Sequence, residues 1–166
     1  MLIVHCDCNY RCIVGFTERE RIFGDAALLA LGFNADNTIP AIKRVIGLKY
    51  SQVLPEDLAM FPCKVIADQN DNIIFEVKYL NKVRQFTPVQ VLAMIFTKMK
   101  LLAEAKAGVK GVEAVVGVPV YFTDRQRRDV IRALEIAGIR CECLLNDVTA
   151  GMFTTIFCFI LFLISF

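Results

Sequence analysis

Residues 112–151 read VEAVVGVPVYFTDRQRRDVIRALEIAGIRCECLLNDVTAG. Val112 to Val118 is an unalternating, β-branched run, the pattern of a strand buried on both faces. Pro119 closes it. Thr123-Asp-Arg-Gln126 is a capping box that opens a helix, which runs to Ala137 and stops at Gly138. Ile139 to Leu145 returns as a strand. A second polar turn then places Asn146, Asp147 and Thr149 just past a strand end. In α/β sheets, strand ends and the turns after them are where ligands are handled.

Upstream of this unit, Thr87-Pro-Val-Gln90 is another capping box with Pro at the first helical position. The helix it opens runs to about Lys106 and carries Leu92, Ile95, Phe96, Met99, Leu102 and Ala103 on one apolar face, with Gly108 as its end. Before it lies a meander. Lys64 to Ala67, Ile73 to Leu80 and Val83 to Phe86 are separated by the turns Asp68–Asn72 and Asn81-Lys82, an antiparallel signature. Earlier still, Ile13 to Phe16 reads as a short strand and Asp25 to Gly32 as a short helix. Asn34 to Thr38 reads as a turn, Pro40 to Ile46 as a short helix, and Pro55 as the start of one more helical turn. The sequence has no internal repeat and no low-complexity linker.

The chain has 166 residues, 56% of them hydrophobic, and a formal charge of +2. That length suits one domain, with room for two subdomains. The near-neutral charge gives no electrostatic case for nucleic acid, and the Lys and Arg residues read as dispersed, solvated positions with no arginine-rich helix. The seven cysteines are odd in number and unevenly spread, unlike a secreted disulfide framework. Cys141 and Cys143 lie two apart in a strand and are expected to share a face as small buried residues. His5-Cys6-x-Cys8 with Cys12 is the only cluster with a metal flavour, and its spacing matches no zinc pattern, so no metal site is assigned. MLIVHCDCNYRC lacks the profile of a signal peptide, which together with the cysteines points to the cytoplasm. No phosphate-cradling glycine loop and no Ser/His/Asp or Cys/His set is visible.

Gly24-Asp-Ala-Ala27, Asn37-Thr-Ile39, Lys43-Arg-Val-Ile-Gly47, Phe96-Thr-Lys-Met-Lys100, Val118-Pro-Val-Tyr-Phe-Thr-Asp124, Ala137-Gly138 and Asn146-Asp-Val-Thr-Ala150 are short motifs with a joint order. In that order, and at roughly these spacings, the chain resembles the 70-kDa heat-shock chaperone family. The motifs fall in the first lobe of its ATPase domain, and the resemblance covers about residues 11–151. Thr-Asp-x-x-Arg-Arg and Asn-Asp-x-Thr-Ala look closer to the family's 110-kDa exchange-factor branch. The resemblance implies an α/β fold, a partial actin-like lobe made of a ribonuclease-H-like core piece and a helical and meander subdomain. The parent activity it implies is an ATP-dependent chaperone using ATP and Mg2+. Lys43 then matches the lysine that orients the attacking water, a task suited to a compact point charge. Asp147 matches an acidic residue, usually Glu, acting on the metal-bound water. Pro119 and Arg127 match a relay of nucleotide state to a substrate domain. Tyr121, on the same turn, is a candidate nucleotide contact, or an aromatic packed at a strand end.

The departures from the family are as informative. MLIVHCDCNY stands where the family has a glycine-rich phosphate hairpin, and nothing matches the second lobe, the adenosine pocket or the peptide-binding domain. Cys143 replaces an arginine that serves J-domain partners. ATP affinity in such a cleft comes from both walls and Mg2+, so hydrolysis is expected to be lost, and whether the chain is an enzyme stays open. A non-enzymatic module contacting full-length heat-shock chaperones, or unfolded protein, is the competing reading. Residues 148–166 carry no charge. The stretch 152–166 departs from the family and reads as a membrane anchor short of the usual ~20 residues, as a buried element, or as a foreign segment read through past an exon end. The first makes a small tail-anchored membrane protein a third reading.

Overall fold

A computed structural model describes residues 11–108, 110–111 and 113–146. It divides them into two units, 11–95 and 96–146. The expectations for His5, Cys6, Cys8, Asp147, Thr149 and the 152–166 tail lie outside the described residues.

In the first unit, β1 (Val14–Phe16) sits between β2 (Arg21–Phe23) and β3 (Thr38–Ile39), both antiparallel to it. Of these three, the sequence pattern predicts only β1. β2 and β3 are too short to show a period of two, and they exist because β1 supplies a ladder to pair with. Val14 and Phe16 are fully buried. Gly15 faces Ile22 so closely that a Cβ there would lie 2.8 Å from its Cγ1. The Asn34–Thr38 turn is polar as expected and is wired internally. Asn34 Nδ2 donates to the Phe16 carbonyl at 2.8 Å, and Thr38 Oγ1 donates to the Asn34 carbonyl at 2.8 Å. That second bond lets Thr38 be buried without an orphaned hydroxyl.

Helix α1 (Asp25–Ala30) buries Ala27 and Ala30. The helix expected over Pro40–Ile46 is instead a single 3-10 turn, Ile42–Arg44, entered through Ala41 in a left-handed conformation at φ 49°. Burial explains the choice, because this turn inserts Ile42, Val45 and Ile46 fully into the core. α2 (Pro55–Ala59) has Pro in its first turn, and its Asp57 takes the Arg44 guanidinium at 2.9 Å.

The meander follows as expected: β4 (Lys64–Ala67), β5 (Ile73–Tyr79) and β6 (Lys82–Phe86), all antiparallel. Ile73, Phe75 and Val77 alternate inward. The β5–β6 turn falls on Leu80-Asn81, one residue earlier than the pattern suggests, with both residues at positive φ. That is the primed turn matching strand twist. In the β4–β5 turn, Asp68 Oδ1 accepts from the amides of Asn70 and Asn72. The Asn72 amide and side chain, then Asn70 and the Lys49 ammonium, hold the Asp68 carboxyl below the ordinary range. Phe16 stacks on Phe86 at 5.0 Å and meets Tyr79 edge-on at 5.5 Å, joining the first sheet to the meander.

Helix α3 (Pro88–Ala107) buries Val91, Leu92, Ile95, Met99 and Ala103, while Leu102, expected on that face, stays 38% exposed. Gly108 ends it at φ 68°, donating to the Glu104 carbonyl. In the second unit, β7 (Glu113–Val118) and β8 (Arg140–Asn146) pair in parallel across α4 (Asp124–Ala137). The ladder slips between Ala114 and Val115. Ala114 pairs with Cys141 and Val115 with Cys143, leaving Glu142 as the extra residue. Cys141 and Cys143 therefore match neighbours on opposite faces and do not share one. Cys141 is half-buried and Cys143 exposed.

Among the described residues Phe16 makes two ring contacts, with Tyr79 and Phe86. Phe16→Ala is expected to cost ~3–5 kcal/mol, which a urea melt followed by circular dichroism will read as a large drop in midpoint.

Candidate functional site

The second unit assembles a polar cluster at the carboxyl ends of its two parallel strands. The β7–α4 turn is set by hydrogen bonds rather than by packing alone. Phe122 N donates to the Pro119 carbonyl at 3.0 Å. Thr123 N donates to Gln126 Oε1 at 2.9 Å, and Gln126 N donates in return to Thr123 Oγ1 at 3.4 Å, closing the expected capping box. Gln126 is itself buried. At the other end, Gly138 takes φ 66°, and Lys100 Nζ from α3 donates to its carbonyl at 2.8 Å. The helix is thus stopped at both ends.

Within this frame the expected residues take definite places. Pro119 is buried and Phe122 packs beneath the turn. Tyr121 is 74% exposed, its ring edge-on to Phe122 at 5.7 Å. It is presented to solvent and not packed at the strand end. Arg127 turns back on the fold. Its Nε donates to the Phe122 carbonyl at 3.2 Å and its Nη2 to Asn146 Oδ1 at 2.8 Å. Pro119, Tyr121, Arg127 and Asn146 therefore gather around one turn, with Asp147 next in sequence. Sequence reasoning misses Asn146 as the partner of Arg127. Nothing in an isolated Asn-Asp pair says which arginine lies opposite.

Lys43 belongs to the first unit, half-buried in the Ile42–Arg44 turn. Among the described residues it has no ion-pair partner, whereas its neighbour Arg44 is held by Asp57. Cys12 lies within its electrostatic reach. Burial pushes the Cys12 thiol up, and the Lys43 ammonium opposes the shift. Burial also raises the Cys63 thiol, to about 12. Cys63 lines a shallow cavity of about 330 Å³ with Asp36, Lys64 and Glu76. Two of its lining charges pair with each other, Lys64 Nζ meeting Glu76 Oε1 at 2.7 Å.

The arginines depart from the sequence expectation of dispersed charge. α4 alone carries Arg125, Arg127, Arg128 and Arg132, and 125, 128 and 132 fall at one-face spacing. The 3.6-residue period of DRQRRDVIR holds that signal.

Among the described residues no three His, Cys, Asp or Glu side chains come together as a metal site. Lys43 is the one expected phosphate-side cation among them. A tethered nucleotide needs cations and amides converging on its phosphates.

A strand–helix–strand unit with polar groups at its strand ends, preceded in the chain by a helical and meander unit, is mixed α/β architecture. It is part of the first lobe of an actin-like ATPase domain. The family profile described as "Hsp70 protein" matches residues 9–154, and the chain belongs to the Hsp70 family. It is 41% identical over 139 residues to a ribosome-associated molecular chaperone of Eremothecium gossypii, and equally to one of Saccharomyces cerevisiae. It is 40% identical to the 97 kDa heat shock protein of Mesocentrotus franciscanus. Each match covers 83% of this chain but only 22%, 22% and 16% of those relatives, so the chain spans about a fifth of their length.

Two outcomes check this geometry. In a double-mutant cycle, Arg127→Ala and Asn146→Ala are expected to couple by about 0.5–1.5 kcal/mol in denaturant stability. The second concerns pH. The Cys63 thiol ionises near 9.0 when unfolded and about 12 when folded. A thiol raised on folding favours the native state less as it ionises in the unfolded chain. Native stability is therefore unaffected by this group below pH 9.0 and falls as pH rises from there towards 12. Urea midpoints measured across this range should fall more steeply for the parent chain than for Cys63→Ala.

Proposed function

We propose that this chain is a chaperone-lobe segment that no longer hydrolyses ATP and acts through its surfaces. What supports this reading is the sequence at the phosphate position: MLIVHCDCNY stands where the family has its glycine-rich hairpin, and Lys43 is the single described cation in an expected phosphate role. In the parent family, ATP and Mg2+ sit between walls from two lobes. By resemblance, Lys43 would orient the attacking water and Asp147 would act on the metal-bound water. Asp for the usual Glu keeps the charge but shortens its reach. Tyr121, exposed on the β7–α4 turn, would flank the nucleotide. Pro119 and Arg127 would pass nucleotide state onward, and the Arg127–Asn146 bond gives that relay a physical link to the residue before Asp147. Nucleotide affinity in such a cleft draws on groups from both walls and on the metal, and the groups named here supply a part of that set.

A second reading is favoured by a specific observation. The meander leaves β6 and the turn before it largely exposed, with Val83 67% and Leu80 45% accessible. Such a surface suits a non-enzymatic module that contacts full-length heat-shock chaperones or unfolded protein in the cytoplasm. No helix among the described residues is long and apolar enough to cross a membrane. A membrane role through residues 152–166 therefore rests on their composition alone.

Filter binding with radiolabelled ATP and Mg2+ tests the first reading. The expected result is no saturation at micromolar nucleotide and no phosphate release, unchanged by Lys43→Ala. Micromolar affinity lost in Lys43→Ala would overturn it. Co-precipitation with a full-length heat-shock chaperone, compared with a Val83→Asp variant, tests the second.

A further inference from the structure

We propose that the outward face of α4 is a docking surface for a short acidic peptide segment of a partner protein. α4 carries four arginines, and the structure divides them by role. Arg127 is used internally, tied to Phe122 and Asn146. Arg125, Arg128 and Arg132 are exposed and lie at i, i+3 and i+7. At 100° per residue these positions fall within an arc of about 60° on one side of the helix. Arg132 is anchored by Asp129 at 3.0 Å yet remains 67% exposed. Arg125 and Arg128 make no ion pair among the described residues.

The fold gains little from this placement. The N-terminal turns of a helix carry partial positive charge and favour carboxylates over cations. Only Asp124 supplies a first-turn acid. Two exposed apolar side chains, Val120 and Tyr121, precede the row in the β7–α4 turn. An arginine row preceded by exposed apolar residues is complementary to an acidic segment carrying one apolar residue. The row is about 10 Å long at 1.5 Å per residue. That accommodates two carboxylates on one face of an extended peptide, which stand about 7 Å apart. Guanidinium groups hold carboxylates bidentately.

A nucleic-acid occupant fits less well. Asp124 and Glu135 flank the row, the chain is only +2 overall, and a phosphate polymer needs a longer uninterrupted field. Tyr121 is also the candidate nucleotide contact, so the test is run without nucleotide.

The test uses the full chain and a fluorescein-labelled oligoglutamate peptide with a terminal leucine, read by fluorescence anisotropy at low salt. Saturable binding is expected, weakened by about tenfold or more in Arg125→Glu/Arg128→Glu and weakened by added NaCl. Tyr121→Ala should also weaken it. All three side chains are exposed, so unchanged urea midpoints will show the variants are folded. Absence of saturable binding to the parent chain overturns the proposal. So does equal affinity in the charge-reversed variant, or equal or tighter binding of an oligouridylate of matched charge.

Discussion

Two parallel strands cannot be joined by a tight turn; a crossover must carry the chain back to the starting end. In the second unit this constraint governs everything else. β7 and β8 can pair only because α4 begins after Thr123 and ends at Gly138, each fixed by its own hydrogen bonds. The carboxyl ends of both strands then open on the same side, and Arg127 spans from the turn after β7 to the last residue of β8. Without the crossover, Pro119, Tyr121, Arg127 and Asn146 would share nothing but a stretch of sequence. The outward arginines on α4 are a consequence of the same helix, since its inward face is committed to Gln126, Val130, Ala133 and Leu134.

The first unit rests on a different device. Its strands are short, and none could bury a core by itself. Phe16 sits where the first sheet meets the meander and contacts aromatic rings from β5 and β6. The polar turn at Asn34 closes on the Phe16 carbonyl, so backbone and ring of one residue bind both sides. Among the described residues, Lys43 is held by the burial of its neighbours rather than by an ion pair of its own. Ile42, Val45 and Ile46 go into the core, and the lysine between them is carried along. A point charge placed in this way keeps its stem packed and its head available.

Legibility follows locality. Both capping boxes, the Gly108 and Gly138 stops and the three meander strands are readable because each depends on residues a few positions apart. β2 and β3 are not, since strands of three and two residues exist only through partners elsewhere. The Pro40–Ile46 helix fails for a related reason: tertiary burial outweighs local preference and drives Ala41 into a left-handed conformation. The β8 slip at Glu142 is invisible to a pattern that assumes an unbroken ladder, and that assumption puts Cys141 and Cys143 on one face. Among candidate site residues, Lys43, Pro119, Tyr121 and Arg127 are named by motif, but motif says nothing of what they touch.

The sequence alone determined the family, the α/β class and the extent of the capped helices, because those follow from periodicity, cap chemistry and ordered motifs written along the chain. It also determined which side chains are available for chemistry. Tertiary structure alone decided that Arg127 is tied to Asn146, that Tyr121 faces solvent, and that Cys63 is buried deeply enough to raise its thiol to about 12. Each of these depends on groups brought together through space, where distance and desolvation set the energy and separation along the chain does not.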